Sequence, residues 1–242
     1  VVTLCRFKSG LRQFFISSVD KDMKSKPSLV VLHGLGASSE WMGMYKKSFS
    51  DNYNVIIPDM PYSPDSGPHC GRSITGYVDY VYELLKDTIR GEESILIGES
   101  LGGAVAMMLC QKISFKKLVL IAPSLGIEKG FISTYLRMLL VPVDILAEPV
   151  AEKIAKSDPE LGVLSKKIMV STPKYKMLNP LVAMKRFSAF DLGSDCLPEL
   201  LVIGGKYDKV VPEDKLRLFA SKHGANLYIN NESGHHVAVN RW

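Results

Sequence analysis

Residues Ile95–Ala104 read I-L-I-G-E-S-L-G-G-A, and no other stretch of the chain restricts its fold as tightly. A short apolar run, Ile95–Ile97, passes into Gly98-Glu99-Ser100-Leu101-Gly102, and a small-residue, helix-competent segment follows. This order predicts a strand, a sharp turn and a helix, with Ser100 at the apex. Such a turn holds the serine in a strained backbone conformation and lifts its hydroxyl clear of the sheet. Bulky side chains two residues to either side would collide, which accounts for glycine at 98 and 102. A G-x-S-x-G pentapeptide alone is weak, since a chain of this length carries one by chance roughly one time in ten. Its position between a buried strand and a helix is what gives it weight.

The 242 residues suffice for one large α/β domain or two small ones, and 46% hydrophobic with 23% charged residues is ordinary for a globular enzyme. The net charge of +5 is spread evenly along the chain, which excludes a nucleic-acid footprint. The four cysteines, Cys5, Cys70, Cys110 and Cys196, are far apart. They make neither a metal spacing nor a dense disulfide framework, and so point to a reducing compartment. There is no leader-like start and no apolar run long enough to span a membrane. The expectation is a cytoplasmic protein without stable membrane insertion. The chain begins at Val1 rather than Met, which leaves room for an N-terminal piece before it.

Taken in order, Val1–Phe7 and Leu11–Ser17 read as a hairpin turning at Ser9-Gly10, followed by a charged loop, Asp20–Pro27. Ser28–Leu32 and Tyr53–Ile57 read as strands buried on both faces, as in a parallel sheet. Between them lies the small-residue loop His33-Gly34-Leu35-Gly36-Ala37-Ser38-Ser39, with Trp41 just beyond it. Residues 61–72 read as a loop. Ile74, Val78, Val81, Leu85 and Ile89 share one helical stripe. Further buried strands are expected at Ser94–Ile97, Leu118–Ile121, Leu200–Ile203 and Asn226–Ile229. Helices are expected from about Leu101 to Lys112 and Glu213 to Lys222. From Ser124 to about Asp195 the alternation stops, and roughly 70 residues read as a helical insertion. Its apolar run Tyr135–Val150 is expected to lay an apolar face on the pocket, with Pro142 and Pro149 interrupting it. The expected organisation is a core of residues 1–123 and 196–242, with a helical cap of residues 124–195. The fold class is α/β: a mostly parallel, doubly wound, eight-stranded sheet flanked by helices, with the hairpin at one edge. Ligands in such sheets bind beyond the carboxyl ends of the strands.

A serine hydroxyl needs a base to accept its proton and a third group to hold that base. The chain has five histidines: His33, His69, His223, His235 and His236. His235 and His236 follow the last strand, where a base could reach Ser100. Asp208, in Gly204–Pro212 after the preceding strand, occupies the same rim. A tetrahedral oxyanion needs two donors, for which the backbone N–H groups of Leu101 and Leu35 are placed.

These residues together resemble the α/β-hydrolase fold superfamily over essentially the whole chain. The resemblance is carried by His33-Gly34-Leu35-Gly36 with Trp41, by Gly98–Gly102, by Gly204–Pro212 and by Gly234-His235, in the order serine, aspartate, histidine. The H-G-x-G-x-x-x-x-W form is similar to capped members with small substrates: carboxylesterases, C–C bond hydrolases and related acyl hydrolases. The resemblance implies Ser100 as nucleophile, Asp208 as acid and His235, directly after the glycine, as base. It implies a carboxylesterase- or lipase-like serine hydrolase acting on a small to medium apolar ester, with no metal or organic cofactor. Cleavage of a C–C, thioester or peptide bond by the same triad, or a ligand sensor built on the hydrolase pocket, are the alternatives. Two features depart from the family pattern. Many relatives carry D-x-x-G-x-G-x-S where this chain has Asp59–Gly67, a loop expected to border the pocket. Relatives also carry a final helix after the histidine, where this chain stops at Trp242.

Other residues have quieter readings. His33 is expected to hold the oxyanion loop. Trp41 is a core residue or a substrate-binding pocket wall. Glu99 is expected only to satisfy backbone groups beneath the elbow, and Lys166-Lys167 and Lys185-Arg186 to lie on solvated faces. The sequence carries no signal for oligomeric state.

Overall fold

The computed structural model describes residues 2–7, 10–15, 26–66, 71–127, 131–193 and 197–239. The hairpin turn at Ser9, the charged loop up to residue 25, His69, Cys70, Cys196 and the end at Trp242 lie outside the described residues.

Strands β1 (Val2–Phe7) and β2 (Gly10–Phe15) pair antiparallel as a separate two-stranded sheet. Among the described residues the main sheet has six strands, all parallel. They are β3 (Ser28–Leu32), β4 (Asn54–Ile56), β5 (Ile95–Glu99), β6 (Lys117–Ile121), β7 (Glu199–Gly205) and β8 (Asn226–Asn230), in the order β4-β3-β5-β6-β7-β8. The expected single eight-stranded sheet is therefore corrected to six strands plus a detached hairpin. The edge strand β4 explains part of this. It is three residues long and half-buried rather than buried, so its outer edge offers few ladder positions to a further strand.

Burial follows the pleat. Along β3, Val30 and Leu32 join the apolar cluster on one face, and Leu29 and Val31 join that on the other. The first cluster takes in α2 (Ile74–Leu85), α3 (Leu101–Leu109) and α8 (Glu213–His223). The second takes in Tyr45 of α1 (Gly43–Phe49). Helix α2 buries the stripe Ile74, Val78, Val81 and Leu85, as its spacing predicts, and the Ser73 side chain accepts from the Gly76 N–H at its start.

Among the described residues between β6 and β7 stand four α-helices: α4 (Phe131–Leu140), α5 (Val143–Ala155), α6 (Pro159–Ser171) and α7 (Lys174–Met184). Helix α5 packs on α6, and α4 on α7. The apolar run Tyr135–Val150 is cut in two because Pro142, which has no N–H to continue a helix, becomes the N-cap of α5. Its first half does not face the pocket as expected: Leu136 and Leu139 are exposed, and Leu140 is 74% exposed.

The chain steps outward from β3 to β4, then returns to place β5 on the other side of β3. The loops leaving β3 and β5 thus diverge and open a crevice at the strands' carboxyl ends.

Candidate active site

Ser100 links β5 to α3 with φ 50° and ψ −117°, a conformation that L-residues rarely adopt. Three backbone hydrogen bonds hold it there. Its N–H donates to Ile121 O at 3.0 Å, and its carbonyl accepts from Gly103 N at 2.9 Å and Ser124 N at 2.8 Å. The strained residue is thereby over-determined by the end of β6. The elbow is also sterically closed. A Cβ on Gly98 would lie 2.7 Å from the Gly103 Cα.

The loop after β3 is clamped from below. His33 is fully buried; its Nδ1 lies 2.9 Å from Gly34 O, and its Nε2 accepts from the Met60 N–H at 3.1 Å. The Tyr62 hydroxyl donates to His33 O at 2.7 Å. Burial holds the His33 pKa below its ordinary value, against the Gly34 contact and the charge of Asp59. A neutral ring with one donor and one acceptor matches these two partners. Asp59 accepts from the Ser39 N–H at 2.8 Å and from the Ser39 hydroxyl at 3.0 Å. The loop containing Asp59 was expected to border the pocket. In the described residues 59–66 it braces the underside of the β3 loop instead, and none of them lines the cavity.

Two further loops meet Ser100. Asp208 follows β7, and His235 follows β8; the Tyr207 N–H donates to Ser233 O at 2.9 Å and ties these loops together. Asp208 Oδ1 accepts from the N–H groups of Val210 (2.7 Å) and Val211 (3.0 Å). Its Oδ2 lies 2.9 Å from His235 Nδ1, and His235 Nε2 lies 3.0 Å from Ser100 Oγ. Burial works to raise the Asp208 pKa, but the hydrogen bond and charge of His235 and the two N–H donors outweigh it and leave the pKa below its ordinary value. A carboxylate of this kind stays ionised and fixes the imidazole with Nδ1 as donor. That leaves Nε2 free to accept the serine proton.

Leu101 opens α3, so its N–H has no acceptor within the helix. The Leu35 N–H finds no acceptor among the described residues. Leu101 directly follows Ser100, and Leu35 lies in the loop after β3 that lines the same cavity.

Gly34, Leu35, Gly36, Ala37 and Trp41 form one wall of a cavity over Ser100. Glu99, Ile121, His235, His236 and Ala238 form another. Val150 and Ile154 of α5, with Ser165 and Met169 of α6, close it from the inserted helices. The cavity has a volume of about 70 Å³. Trp41 is 5% exposed in the core and also lines the cavity. Its Nε1 is buried with no hydrogen-bond partner among the described residues. His236 faces Trp41 edge-on. Burial, then the nearby His235 and Lys153, push the His236 pKa down to about 4, against the pull of Asp208. It is a neutral wall residue, and His235 alone of the two reaches Ser100.

Glu99 departs from its sequence reading. Its carboxyl accepts from the Tyr45 hydroxyl, not from backbone groups beneath the elbow. Burial pushes its pKa up to about 7, while Tyr45 and His235 pull it down. The four lining residues of α5 and α6 were not singled out in the sequence. Their helices have weak periodicity, and only docking decides which turn meets the cavity.

A family model described as alpha/beta hydrolase fold matches residues 27–162. An uncharacterized protein of Mycobacterium tuberculosis is 29% identical over 123 residues, which are 49% of this chain and 35% of that protein. This chain thus matches about a third of that relative's length. A hydrolase from Pseudomonas aeruginosa PA01 superposes with a TM-score of 0.81 at 17% identity, over 97% of this chain and 91% of its own. An esterase from Exiguobacterium antarcticum superposes with a TM-score of 0.75 at 19% identity, over 87% and 85%. At these identities the superpositions establish the fold.

Proposed function

The chain belongs to the alpha/beta hydrolase fold family, and from that premise we propose that it is a serine hydrolase acting on carboxylic esters with a small, apolar acyl group. The observation that carries this reading is the continuous relay in which Ser100 Oγ lies 3.0 Å from His235 Nε2 and His235 Nδ1 lies 2.9 Å from Asp208 Oδ2. In this reading His235 takes the Ser100 proton as Oγ bonds to the ester carbonyl carbon. The carbonyl oxygen becomes an oxyanion held by the N–H groups of Leu35 and Leu101. The intermediate collapses, the carbon–oxygen bond to the alcohol breaks, and His235 returns its proton to the leaving alkoxide. Water, deprotonated by His235, then releases the acid from the acyl-serine. No step calls for a metal or organic cofactor.

Helices α4–α7 act as a cap, residues 124–195, over a core of residues 1–123 and 196–242. Val150, Ile154 and Met169 support this, since they place apolar cap side chains against the cavity. The small open volume and these aliphatic walls favour short, uncharged acyl chains over long ones. Trp41 contributes an aromatic wall to the same subsite.

The test is hydrolysis of p-nitrophenyl esters from acetate to octanoate by the wild type beside Ser100→Ala. The expected result is highest kcat/KM for the short esters and a loss of about a thousandfold or more in the variant. Equal rates for the two proteins would overturn the serine-nucleophile reading.

A further inference from the structure

One acidic residue lines the cavity yet stands outside the relay from Ser100 to Asp208. Glu99 ends β5, immediately before Ser100, and lines the same cavity. The Tyr45 hydroxyl of α1 is its hydrogen-bond partner among the described residues. Tyr45 is itself buried and stacks on Phe49, so the donor is fixed in place. The titratable groups around Glu99 are Tyr45 from α1 and His235 with His236 from the loop after β8. Among the described residues neither lysine nor arginine lines the cavity, and Lys153 of α5 stands outside it, near Gly234.

From this arrangement we propose that Glu99 selects acyl groups by charge. Neutral acyl groups and those bearing an amino donor enter, and those bearing a carboxylate are turned away. The inference rests on the reading that Ser100 is acylated in this cavity. An acidic group at a pocket wall, with no cation opposite, repels an anion more strongly than it would in water, because the low-dielectric surroundings screen it poorly. A substrate ammonium or amino group would meet the carboxyl as a charge-assisted hydrogen-bond donor.

The selection carries a pH signature. Burial pushes the Glu99 pKa up to about 7, so the repelling charge is present above that pH and absent below it. The Tyr45 hydrogen bond pulls the same pKa down, so removing the hydroxyl moves the transition to higher pH. Comparing two esters at one pH cancels the protonation of His235, which both need in the same state.

The experiment compares kcat/KM for methyl butanoate, monomethyl succinate and methyl 3-aminopropanoate by methanol release, with Ser100→Ala as blank. The proteins are wild type, Glu99→Gln and Tyr45→Phe, each at pH 5.5 and 8.5. At pH 8.5 the wild type is expected to favour butanoate over succinate by about tenfold or more. The ratio should fall at pH 5.5. In Glu99→Gln it should lose this dependence on pH and stay below the wild-type value at pH 8.5, and in Tyr45→Phe its midpoint should shift upward. A wild-type ratio independent of pH, or one with the same pH dependence in Glu99→Gln, overturns the charge-selection proposal while leaving esterase activity standing. Calorimetric titration with butanamide and succinamate measures the same discrimination without turnover. Discrimination in binding without ester turnover would support Glu99 and overturn the hydrolase reading.

Discussion

Gly102 lies with its bare α-carbon against the carbonyl of Leu32, so close that a Cβ there would stand 2.1 Å from the oxygen. The contact joins the helix after Ser100 to the end of β3, from which the Leu35 loop departs. The distance between Ser100 and that loop is therefore set by two backbones in contact, with no side chain between them.

Gly102→Ala should accordingly cost about 3 kcal/mol or more, or prevent folding, because neither backbone can yield without breaking β3–β5 pairing. Gly43→Ala, where a Cβ meets nothing within 4 Å, is the control and should change stability little. Urea melts of the two variants check this. Similar midpoints would mean that the elbow relaxes.

Asp208→Asn should keep the fold and lose about 10⁴-fold in kcat. An amide oxygen can still accept from Val210 and Val211, which hold Oδ1. The amide NH₂ would then face His235 Nδ1 and favour the tautomer with its proton on Nε2, which cannot accept from Ser100. Near-wild-type melting with the rate lost is the expected pair of results. A rate within tenfold of wild type would mean that another group orients His235.

Much of this site was legible in the sequence because its parts are local. A glycine is required wherever backbones touch, so Gly98 and Gly102 announce the elbow around Ser100, and the motifs at 33–36, 204–212 and 234–235 each follow a strand. What escaped depends on contacts across the fold. Glu99 looked inert because its partner, Tyr45, lies 54 positions upstream on helix α1. The loop at Asp59 borders the pocket in sequence order but braces His33 in space, since Met60 gives its N–H to the buried imidazole. Val150, Ile154, Ser165 and Met169 sit on helices whose pattern does not say which turn docks over Ser100. The hairpin was assigned to the sheet edge because strand propensity reports that a strand forms and not what it pairs with.

Lys176 of α7 is 2% exposed, and its Nζ donates to Ser63 O at 2.6 Å, Ser66 Oγ at 3.1 Å and Pro64 O at 3.3 Å. Lys176→Met keeps most of the volume but takes the donor from buried carbonyls. It should cost about 2 kcal/mol, whereas Lys185→Met at an exposed position should cost less than about 0.5 kcal/mol. Chemical denaturation of both variants checks this. Equal costs would show that the loop at 63–66 is held by other contacts.

Glu99→Gln should stabilise the protein at pH 8 and not at pH 4. The Glu99 pKa rises from an ordinary 4.5 to about 7 on burial, so the folded state binds a proton more tightly than the unfolded one. Below pH 4.5 both states are protonated and the wild type has no deficit. As pH rises toward 7 the unfolded chain ionises first, and folding loses about 3 kcal/mol, constant above that pH. Glutamine never ionises and can still accept from the Tyr45 hydroxyl, so it avoids this loss. Other titrating groups are common to both proteins and cancel in the difference. Urea melts of wild type and variant at pH 4 and pH 8 measure the effect. A difference that is the same at both values would mean that Glu99 titrates alike in the folded and unfolded protein.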